Sequence, residues 1–227
     1  MHSKPEAFPH IQPVGESAIL VQLGDTIDRQ TNDRVFSVDS WLQQDPLNGI
    51  LSLVPGYSTL LIVYDSLDLT YTEVSFWVLE RLQSCPPLQE RMTRQIEIPV
   101  HYGGEDGPDL NHVAEQHRLT PEEVVQKHTA STYQVGMMGF TPGFAYLMGL
   151  DPGLATPRLT DPRTLVPAGS VGIAGSQTGI YPLDSPGGWQ LIGKTDRVLF
   201  DPVNEPHFLL SPGDEVRFVV APRSTVK

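Results

Sequence analysis

The sequence has a single cysteine, Cys85, among its 227 residues, so no internal disulfide is possible. No stretch approaches the roughly 20 apolar residues that a membrane-spanning helix needs. Residues 1–14 are polar, carry three prolines, and contain no apolar run of signal-peptide length. These absences predict a cytoplasmic protein, in which Cys85 is expected to be an ordinary free thiol.

Basic residues are also scarce. The chain has 15 Lys and Arg against 27 Asp and Glu, a formal net charge of -12 at pH 7. A nucleic-acid-binding protein needs a basic surface to neutralise phosphates, and anionic membranes favour the same kind of surface. Both kinds of partner are therefore disfavoured. The remaining composition, 39% hydrophobic and 19% charged, is typical of a soluble globular protein with one large or two small domains.

Proline and glycine are rare in the first part of the chain, where five of 21 prolines and four of 20 glycines precede Cys85. The hydrophobic periodicity there predicts strand, helix, strand, strand, helix and strand. This βαββαβ order predicts a ferredoxin-like two-layer sandwich. The predicted helices are residues 28–44 and 70–82, and the predicted strands are residues 18–23, 50–54, 59–64 and 95–100.

A helical bridge and then a turn-rich second part follow. Residues 109–117 predict one helix, and Thr120 with Glu123 predicts a capping box at the start of another. Between residues 139 and 193 about a third of the residues are Gly or Pro. Low-complexity disorder is one interpretation, but the interleaved aromatic and β-branched residues favour a closed β-barrel with long ordered loops.

The run from Gly188 to Thr195 matches the Walker A pattern letter for letter. A working phosphate loop needs a strand before it, a turn that aims backbone amides at phosphates, and a helix after it. The interior here is Trp-Gln-Leu-Ile, which prefers an extended strand, and Pro202 interrupts the β-type run that follows. We therefore predict a strand and turn, in which Lys194 can still meet an anion as a point charge.

The seven histidines form no metal-binding pattern. His112 and His117 lie five residues apart on a predicted helix and do not share a face, and no His, Cys and Asp cluster has metal-ligand spacing. Surface or core positions are expected for them, and no metal site is predicted. A Ser-His-Asp triad stays open, although the sequence has no Gly-x-Ser-x-Gly elbow.

Residues 139–147 carry three aromatic residues, Phe140, Phe144 and Tyr146, on a stretch stiffened by proline and glycine. One interpretation is a structural plug over the barrel end. The other is a wall of a ligand pocket or of a groove for a partner protein, because exposed aromatic clusters often mark binding surfaces.

Arg158 and Arg163 flank a Thr-Asp-Pro turn. Two guanidinium groups on a stiff loop suit a carboxylate or a phosphate, and surface ion pairs are the competing interpretation. Residues 169–179 contain four glycines, which let the backbone approach another group closely. Gln177 and Tyr181 would then be polar groups beside that bare backbone.

These segments resemble a known family, variously called the 5-oxoprolinase B subunit, the Kip kinase inhibitor and allophanate hydrolase subunit 1. The resemblance spans nearly the whole chain, and its central motifs are long and specific. It includes the opening Gly-Glu-Ser-Ala at residues 15–18 and the Ile-Pro-Val-x-Tyr-Gly-Gly joint at residues 98–104. The central motifs are Gly-Phe-Thr-Pro-Gly-Phe-Ala-Tyr-Leu at 139–147, Pro-Arg at 157–158 and 162–163, Val-Pro-Ala-Gly-Ser-Val-Gly-Ile-Ala-Gly at 166–175, Gln-Thr-Gly-Ile-Tyr-Pro at 177–182 and Ser-Pro-Gly-Gly-Trp at 185–189.

The resemblance implies an α+β chain with a ferredoxin-like domain, residues 1–98, and a cyclophilin-like β-barrel domain, residues 99–227. It also implies that the chain acts with a partner, the 5-oxoprolinase C subunit, to phosphorylate 5-oxoproline (pyroglutamate) with ATP. A separate A subunit then opens the ring to glutamate. ATP and Mg²⁺ are expected at the level of the complex, and the chain alone is expected to be inactive.

The implied chemistry needs cations or amides for phosphates and an anchor for the substrate carboxylate. Position 194 departs from the family, in which arginine is expected more often than lysine. The predicted catalytic cations are Arg158, Arg163 and Lys194, the predicted substrate-binding residues are Gln177, Tyr181 and Ser170, and the predicted pocket or interface residues are Phe140, Phe144 and Tyr146.

Two other functions stay open at this point. One is an inhibitor that docks on a sensor histidine kinase through the aromatic loop at residues 139–147. The other is a carboxyltransferase-type subunit that acts with a biotinylated partner, as in allophanate hydrolase and urea carboxylase systems. The sequence does not identify the cognate substrate within the family, and it does not say which component of the complex holds ATP.

Overall fold

The structure is a computed structural model that describes residues 8–86 and 93–222. The chain divides into two compact units, residues 1–92 and residues 93–227. Each unit has its own core of buried apolar side chains. None of the helices in the described ranges is long and apolar enough to cross a membrane.

The first unit combines one antiparallel sheet with two helices. Its elements are β1 (His10–Pro13), β2 (Ala18–Gln22), α1 (Arg29–Gln43), β3 (Ile50–Pro55), β4 (Thr59–Tyr64) and α2 (Tyr71–Gln83). The four strands are ordered β1-β2-β4-β3. Both helices pack against the face of the sheet that carries the buried side chains.

Local sequence explains where these helices begin and which face they bury. The Asp28 carboxylate accepts a 2.8 Å hydrogen bond from the backbone N–H of Thr31 at the start of α1, and Thr70 and Glu73 form a reciprocal capping box at α2. Buried positions follow the helical period in α1 and α2 and alternate in β2 and β4. The main ones are Ile19, Val21, Val35, Val38, Leu60, Ile62, Val74 and Val78.

The predicted order of strand, helix, strand, strand, helix and strand is present along the chain, but its last strand does not join the sheet of the first unit. Residues Gln95–Tyr102 form strand β5, which pairs with strands of the second unit. The edge strand beside β2 is β1, which the sequence does not predict because His10–Pro13 has one aliphatic residue in four and no alternation. Alternation identified β5 as a strand but cannot say which sheet it joins, so the ferredoxin-like sandwich is not confirmed.

The second unit is a closed barrel, as predicted. Besides β5, its elements are α3 (Leu110–His117), α4 (Pro121–Ala130), β6 (Tyr133–Met138), β7 (Ala145–Met148), β8 (Arg163–Val166), β9 (Ser170–Ala174), β10 (Gln177–Ile180), β11 (Ser185–Gly187), β12 (Gln190–Lys194) and β13 (Glu215–Val220). The barrel strands run in the order β10-β7-β6-β13-β5-β12-β9, and β8 with β11 forms a separate two-stranded sheet. This architecture is consistent with a cyclophilin-like barrel.

A buried histidine links the helices to the barrel core. His128 of α4 lies 2.7 Å from the Tyr102 hydroxyl through Nδ1 and 3.0 Å from the Thr178 hydroxyl through Nε2. The Thr178 hydroxyl donates its proton to the carbonyl of Gly172, so Nε2–H must be the donor to Thr178 and Nδ1 must accept from Tyr102. Burial lowers the pKa of His128 to about 3, so this imidazole is neutral and structural.

Candidate functional site

The outer surface of the barrel carries a second buried cluster of side chains. It lies on glycines that alternate with core residues along β9 and β10. A Cβ added at Gly179 would lie 3.0 Å from Cζ3 of Trp189 and 3.2 Å from Cζ of Phe144, and one at Gly172 would lie 3.1 Å from Cβ of Trp189. The glycines of this region therefore let aromatic rings lie directly against the strands.

Five rings form what we call the aromatic cluster. Phe144 is at its centre, with ring centroids 4.7 Å from Tyr146, 5.2 Å from Tyr181, 5.5 Å from Trp189 and 5.6 Å from Phe140. Most pairs meet edge to face, the arrangement that aromatic quadrupoles favour. The cluster brings the predicted aromatic loop together with Tyr181 and with Trp189 of the Walker-like run.

The three rings of the predicted loop have different surroundings. Phe144 is 1% exposed, Tyr146 is partly buried, and Phe140 is 59% exposed with a backbone φ of 68°. A structural plug over the barrel end would bury all three rings, whereas here only Phe144 is fully buried. Phe140 lines what we call the apolar cleft, with a volume of about 520 Å³. Its lining residues are Met138, Gly139, Phe140, Thr141, Pro142, Gly143, Phe208, Leu210, Ser211 and Pro212.

Arg158 is exposed, and its Cζ lies 5.9 Å from the centroid of the Trp189 ring, within cation–π range. Within the described ranges no carboxylate forms an ion pair with it. The backbone on either side is fixed, because the carbonyl of Pro157 accepts from Nε2 of Gln190 at 3.0 Å and the N–H of Leu159 donates to the carbonyl of Gly188 at 2.7 Å. Arg158 is thus a positioned cation available to an anion.

Arg163 has a different environment, because its guanidinium group is already paired. Nη2 donates to both carboxylate oxygens of Asp109, at 2.7 and 2.8 Å, and Nη1 donates to the carbonyl of Trp189 at 3.2 Å. Asp109 also accepts a 2.6 Å hydrogen bond from the N–H of Leu191. In the sequence Asp109 is marked only as the start of a predicted helix, yet its side chain makes no capping bond.

Two tyrosine hydroxyls border Arg158. Burial raises the pKa values of Tyr146 and Tyr181, and the nearby Arg158 offsets part of that rise in both. Both phenols are therefore neutral near pH 7. The backbone N–H of Trp189 also offsets part of the rise in the pKa of Tyr181. The Tyr181 ring lies against Gly187, where an added Cβ would be 2.8 Å from Cζ of the ring. The site thus joins one cation to a wall of neutral aromatic rings.

The sequence matches the family described as "Carboxyltransferase domain, subdomain C and D" over residues 9–210. The chain belongs to this family. The B subunit of 5-oxoprolinase from Bacillus subtilis (strain 168) is 42% identical over 219 residues, 92% of this chain and 91% of the relative. The B subunit of 5-oxoprolinase from Haemophilus influenzae is 43% identical over 213 residues, 93% of this chain and 97% of the relative.

Solved structures of other proteins are also similar to this member of the carboxyltransferase-domain family. A conserved uncharacterized protein from Pyrococcus horikoshii is 43% identical, with a TM-score of 0.56, over 94% of this chain and 98% of that one. The urea amidolyase of K. lactis matches 93% of this chain and 15% of its own, with a TM-score of 0.78. At 20% identity that second likeness shows the fold alone.

In this family member the predicted site residues do not all come together. Arg158, Arg163 and Tyr181 surround Trp189. Lys194 ends β12 and lies opposite the buried Ser170 in the register. It is about 13 Å along the strand from Gln190, which bonds to the residue before Arg158. Gln177, partly exposed, opens β10 opposite Ala174.

The Walker-like run of this family member forms strand β12, between β9 and β5 of the barrel. Residues 195–200 after it are not helical, so the prediction of a strand in place of a phosphate loop is confirmed.

In the described parts of the chain, no three His, Cys, Asp or Glu side chains lie close enough to hold a metal ion. Asp109 is the site residue that sequence reasoning missed, because nothing in its spacing marks it as a partner for Arg163.

Proposed function

We propose that this chain is the B subunit of an ATP-dependent 5-oxoprolinase and acts in the cytoplasm. The observation that carries the proposal is its 42% and 43% identity to proteins named as 5-oxoprolinase B subunits, over 91% and 97% of their lengths. In this proposal the chain acts with a C subunit to phosphorylate 5-oxoproline, and an A subunit opens the activated ring to glutamate.

The geometry around Arg158 suits this substrate. 5-Oxoproline is a flat cyclic amide that bears one carboxylate, so it needs a cation beside an apolar wall. Arg158 supplies the cation, and the aromatic cluster that includes Tyr146 and Trp189 supplies the wall. We propose that Arg158 binds the substrate carboxylate, while Arg163, whose charge is matched by Asp109, holds the site in shape.

The chemistry explains the need for ATP. A lactam carbonyl is a poor electrophile, and transfer of a phosphoryl group to its oxygen makes ring opening feasible. That transfer needs cations or amides around the phosphates. We propose that the nucleotide and its Mg²⁺ are bound at the level of the complex, with groups from the C subunit completing the site.

We propose that the apolar cleft forms part of the surface for the C subunit. Phe140 is 59% exposed, and Phe208 across the cleft is 43% exposed. Aromatic residues of this kind are common anchors at the centres of protein interfaces. The cleft also adjoins the aromatic cluster, because its lining residue Phe140 packs on Phe144, so a partner seated there would contact one edge of that cluster.

A second candidate function is supported by the family description, which names a carboxyltransferase domain. In that case the partner would carry biotin, and the carboxyl group would take the place of the phosphoryl group as the transferred unit. The two functions make different products. ADP and phosphate released on addition of 5-oxoproline indicate the oxoprolinase, whereas carboxylation of urea by a biotinylated partner indicates the alternative.

The experiment that tests the proposed function is co-expression of this chain with candidate C and A subunits, followed by purification of the complex. We expect 5-oxoproline to stimulate ATP hydrolysis and to yield glutamate. A stable complex that hydrolyses no ATP with 5-oxoproline would refute the proposal.

A further inference from the structure

Asp109, the residue before α3, bonds to two strands: β8 through Arg163 and β12 through Leu191. Nη2 of Arg163 donates to both oxygens of the Asp109 carboxylate, which also accepts from the N–H of Leu191 at 2.6 Å. The N–H of Asp109 itself donates to the carbonyl of Leu191 at 2.9 Å. The carboxylate is 14% exposed. Charge-assisted hydrogen bonds are stronger than neutral ones, so Asp109 fixes the start of β12 and the start of β8 together.

The segment that these bonds fix is residues 188–190, which we call the platform segment. Arg163 donates to the carbonyl of Trp189 at 3.2 Å from one side. On the other side, the platform segment bonds to the residues immediately before and after Arg158, through Gln190 Nε2 and the carbonyl of Gly188. The Trp189 ring itself lies beneath the Arg158 guanidinium group.

We propose that Asp109 and Arg163 are positioning residues that act on substrate through Arg158. Neither needs to touch the substrate, because the pair holds the platform segment in place. The platform segment in turn bonds to the backbone on both sides of Arg158 and supports its guanidinium group with the Trp189 ring. Misplacement of a binding group by about 1 Å can cost a large factor in rate. The kinetic part of this inference rests on the proposed function, whereas the structural part does not.

The kinetic test is a double-mutant cycle in the assembled complex. We expect Asp109→Asn to raise KM for 5-oxoproline by about tenfold, and Arg158→Ala to raise it at least as much. In the Arg158→Ala background, Asp109→Asn should raise KM by less than about a further twofold, because both changes impair the same contact with the substrate. If the two effects multiply, Asp109 acts independently of Arg158 and the inference is wrong.

The structural test needs no partner and no activity. The chain has three tryptophans, so 5-fluorotryptophan labelling gives three ¹⁹F resonances, of which Trp189 is assigned by Trp189→Phe. We expect Asp109→Asn to shift the Trp189 resonance in the direction that Arg158→Ala shifts it, while Trp41 and Trp77 stay unchanged. An unmoved Trp189 resonance in Asp109→Asn contradicts the inference, whether or not the complex is active.

The matched control is Asp214→Asn. Asp214 also pairs with an arginine, Arg94, and accepts a 2.7 Å bond from a backbone N–H, that of Ser211. We expect this control to leave the Trp189 resonance in place. If it moves Trp189 as much as Asp109→Asn does, the effect is general loosening of the barrel and the inference is wrong.

A second variant keeps the test decisive if Asp109→Asn fails to fold. Arg163→Lys retains the charge but has one nitrogen in place of the two that bond Asp109 and the Trp189 carbonyl separately, so it should shift the Trp189 resonance. A folded Arg163→Lys variant with wild-type KM and an unmoved Trp189 resonance would overturn the proposal. An inactive wild-type complex, by contrast, would refute only the proposed function.

Discussion

At the scale of single residues, two arginines five positions apart in sequence differ in what surrounds their charge. The sequence identifies both as cations on a stiff loop. It cannot show that Asp109, 54 residues from Arg163, pairs with one of them and leaves Arg158 over the Trp189 ring. Long-range pairing of this kind follows from the barrel topology, which local patterns do not encode.

This difference predicts opposite effects of alanine substitution. Arg158→Ala should change the free energy of unfolding by less than about 1 kcal/mol, as exposed positions usually do, but lower kcat/KM at least about tenfold. Arg163→Ala leaves the largely buried carboxylate of Asp109 without its cation and should destabilise the chain by about 1–3 kcal/mol. Urea unfolding of both variants checks this, and equal stabilities would contradict it.

The buried imidazole of His128 predicts a loss of stability in mild acid. Its pKa is about 3 in the folded chain and about 6.5 when unfolded. The unfolded state therefore binds a proton first, so the stabilising effect is complete above pH 6.5 and shrinks as pH falls. From pH 7.5 to pH 5 the loss should be about 2 kcal/mol from this residue.

Unfolding experiments at several pH values measure that loss. The carboxylates with lowered pKa values, such as Asp28 and Asp151, start to titrate only below this window. His128→Asn removes the titrating group, so its stability should change much less between pH 7.5 and pH 5. An unchanged pH slope in His128→Asn would show that other groups cause the acid sensitivity.

At the scale of elements, the sequence predicts structure well where the signal is local. The capping box of Thr120 and Glu123 is present at α4, and the Walker-like run is a strand because Trp-Gln-Leu-Ile favours extended backbone. What it misses is pairing. β5 alternates like any half-buried strand, and only the fold shows that it runs parallel to β13 in the barrel.

The close contact between rings and strands predicts the effect of a single methyl group. Gly179→Ala would place a Cβ 3.0 Å from the carbonyl oxygen of Ala145 and from the Trp189 ring, so overpacking should destabilise the chain by about 1–3 kcal/mol. Gly139→Ala is the matched control, since its Cβ would meet nothing within 4 Å. Thermal unfolding of the pair checks the prediction, and equal melting temperatures would argue against it.

At the scale of the whole molecule, the proposed function requires the chain to work in an assembly. The exposed ring of Phe140 is held by a left-handed backbone conformation, with φ of 68°, which is uncommon for a bulky residue. Asparagine tolerates this conformation and removes the ring. Phe140→Asn should therefore lower the affinity for the C subunit roughly tenfold or more while the chain stays folded.

Titration calorimetry with the purified C subunit tests this prediction. Phe76 is a suitable control, because it is also a largely exposed phenylalanine, 68% exposed on α2, but in the other unit. Phe76→Gln should leave the affinity within about twofold of wild type. Equal losses in both variants would mean that the partner does not select the apolar cleft.

The central claim is that Arg158 binds the carboxylate of 5-oxoproline, and a substrate lacking that carboxylate tests it most directly. 2-Pyrrolidinone is the same ring without the carboxylate. The measurement is the ratio of kcat/KM for 5-oxoproline to kcat/KM for 2-pyrrolidinone, in the wild-type complex and in Arg158→Ala. We predict a ratio that falls at least about tenfold in the variant, equivalent to about 1.4 kcal/mol of lost transition-state binding. An unchanged ratio in a folded, assembled Arg158→Ala complex would show that the carboxylate is bound elsewhere.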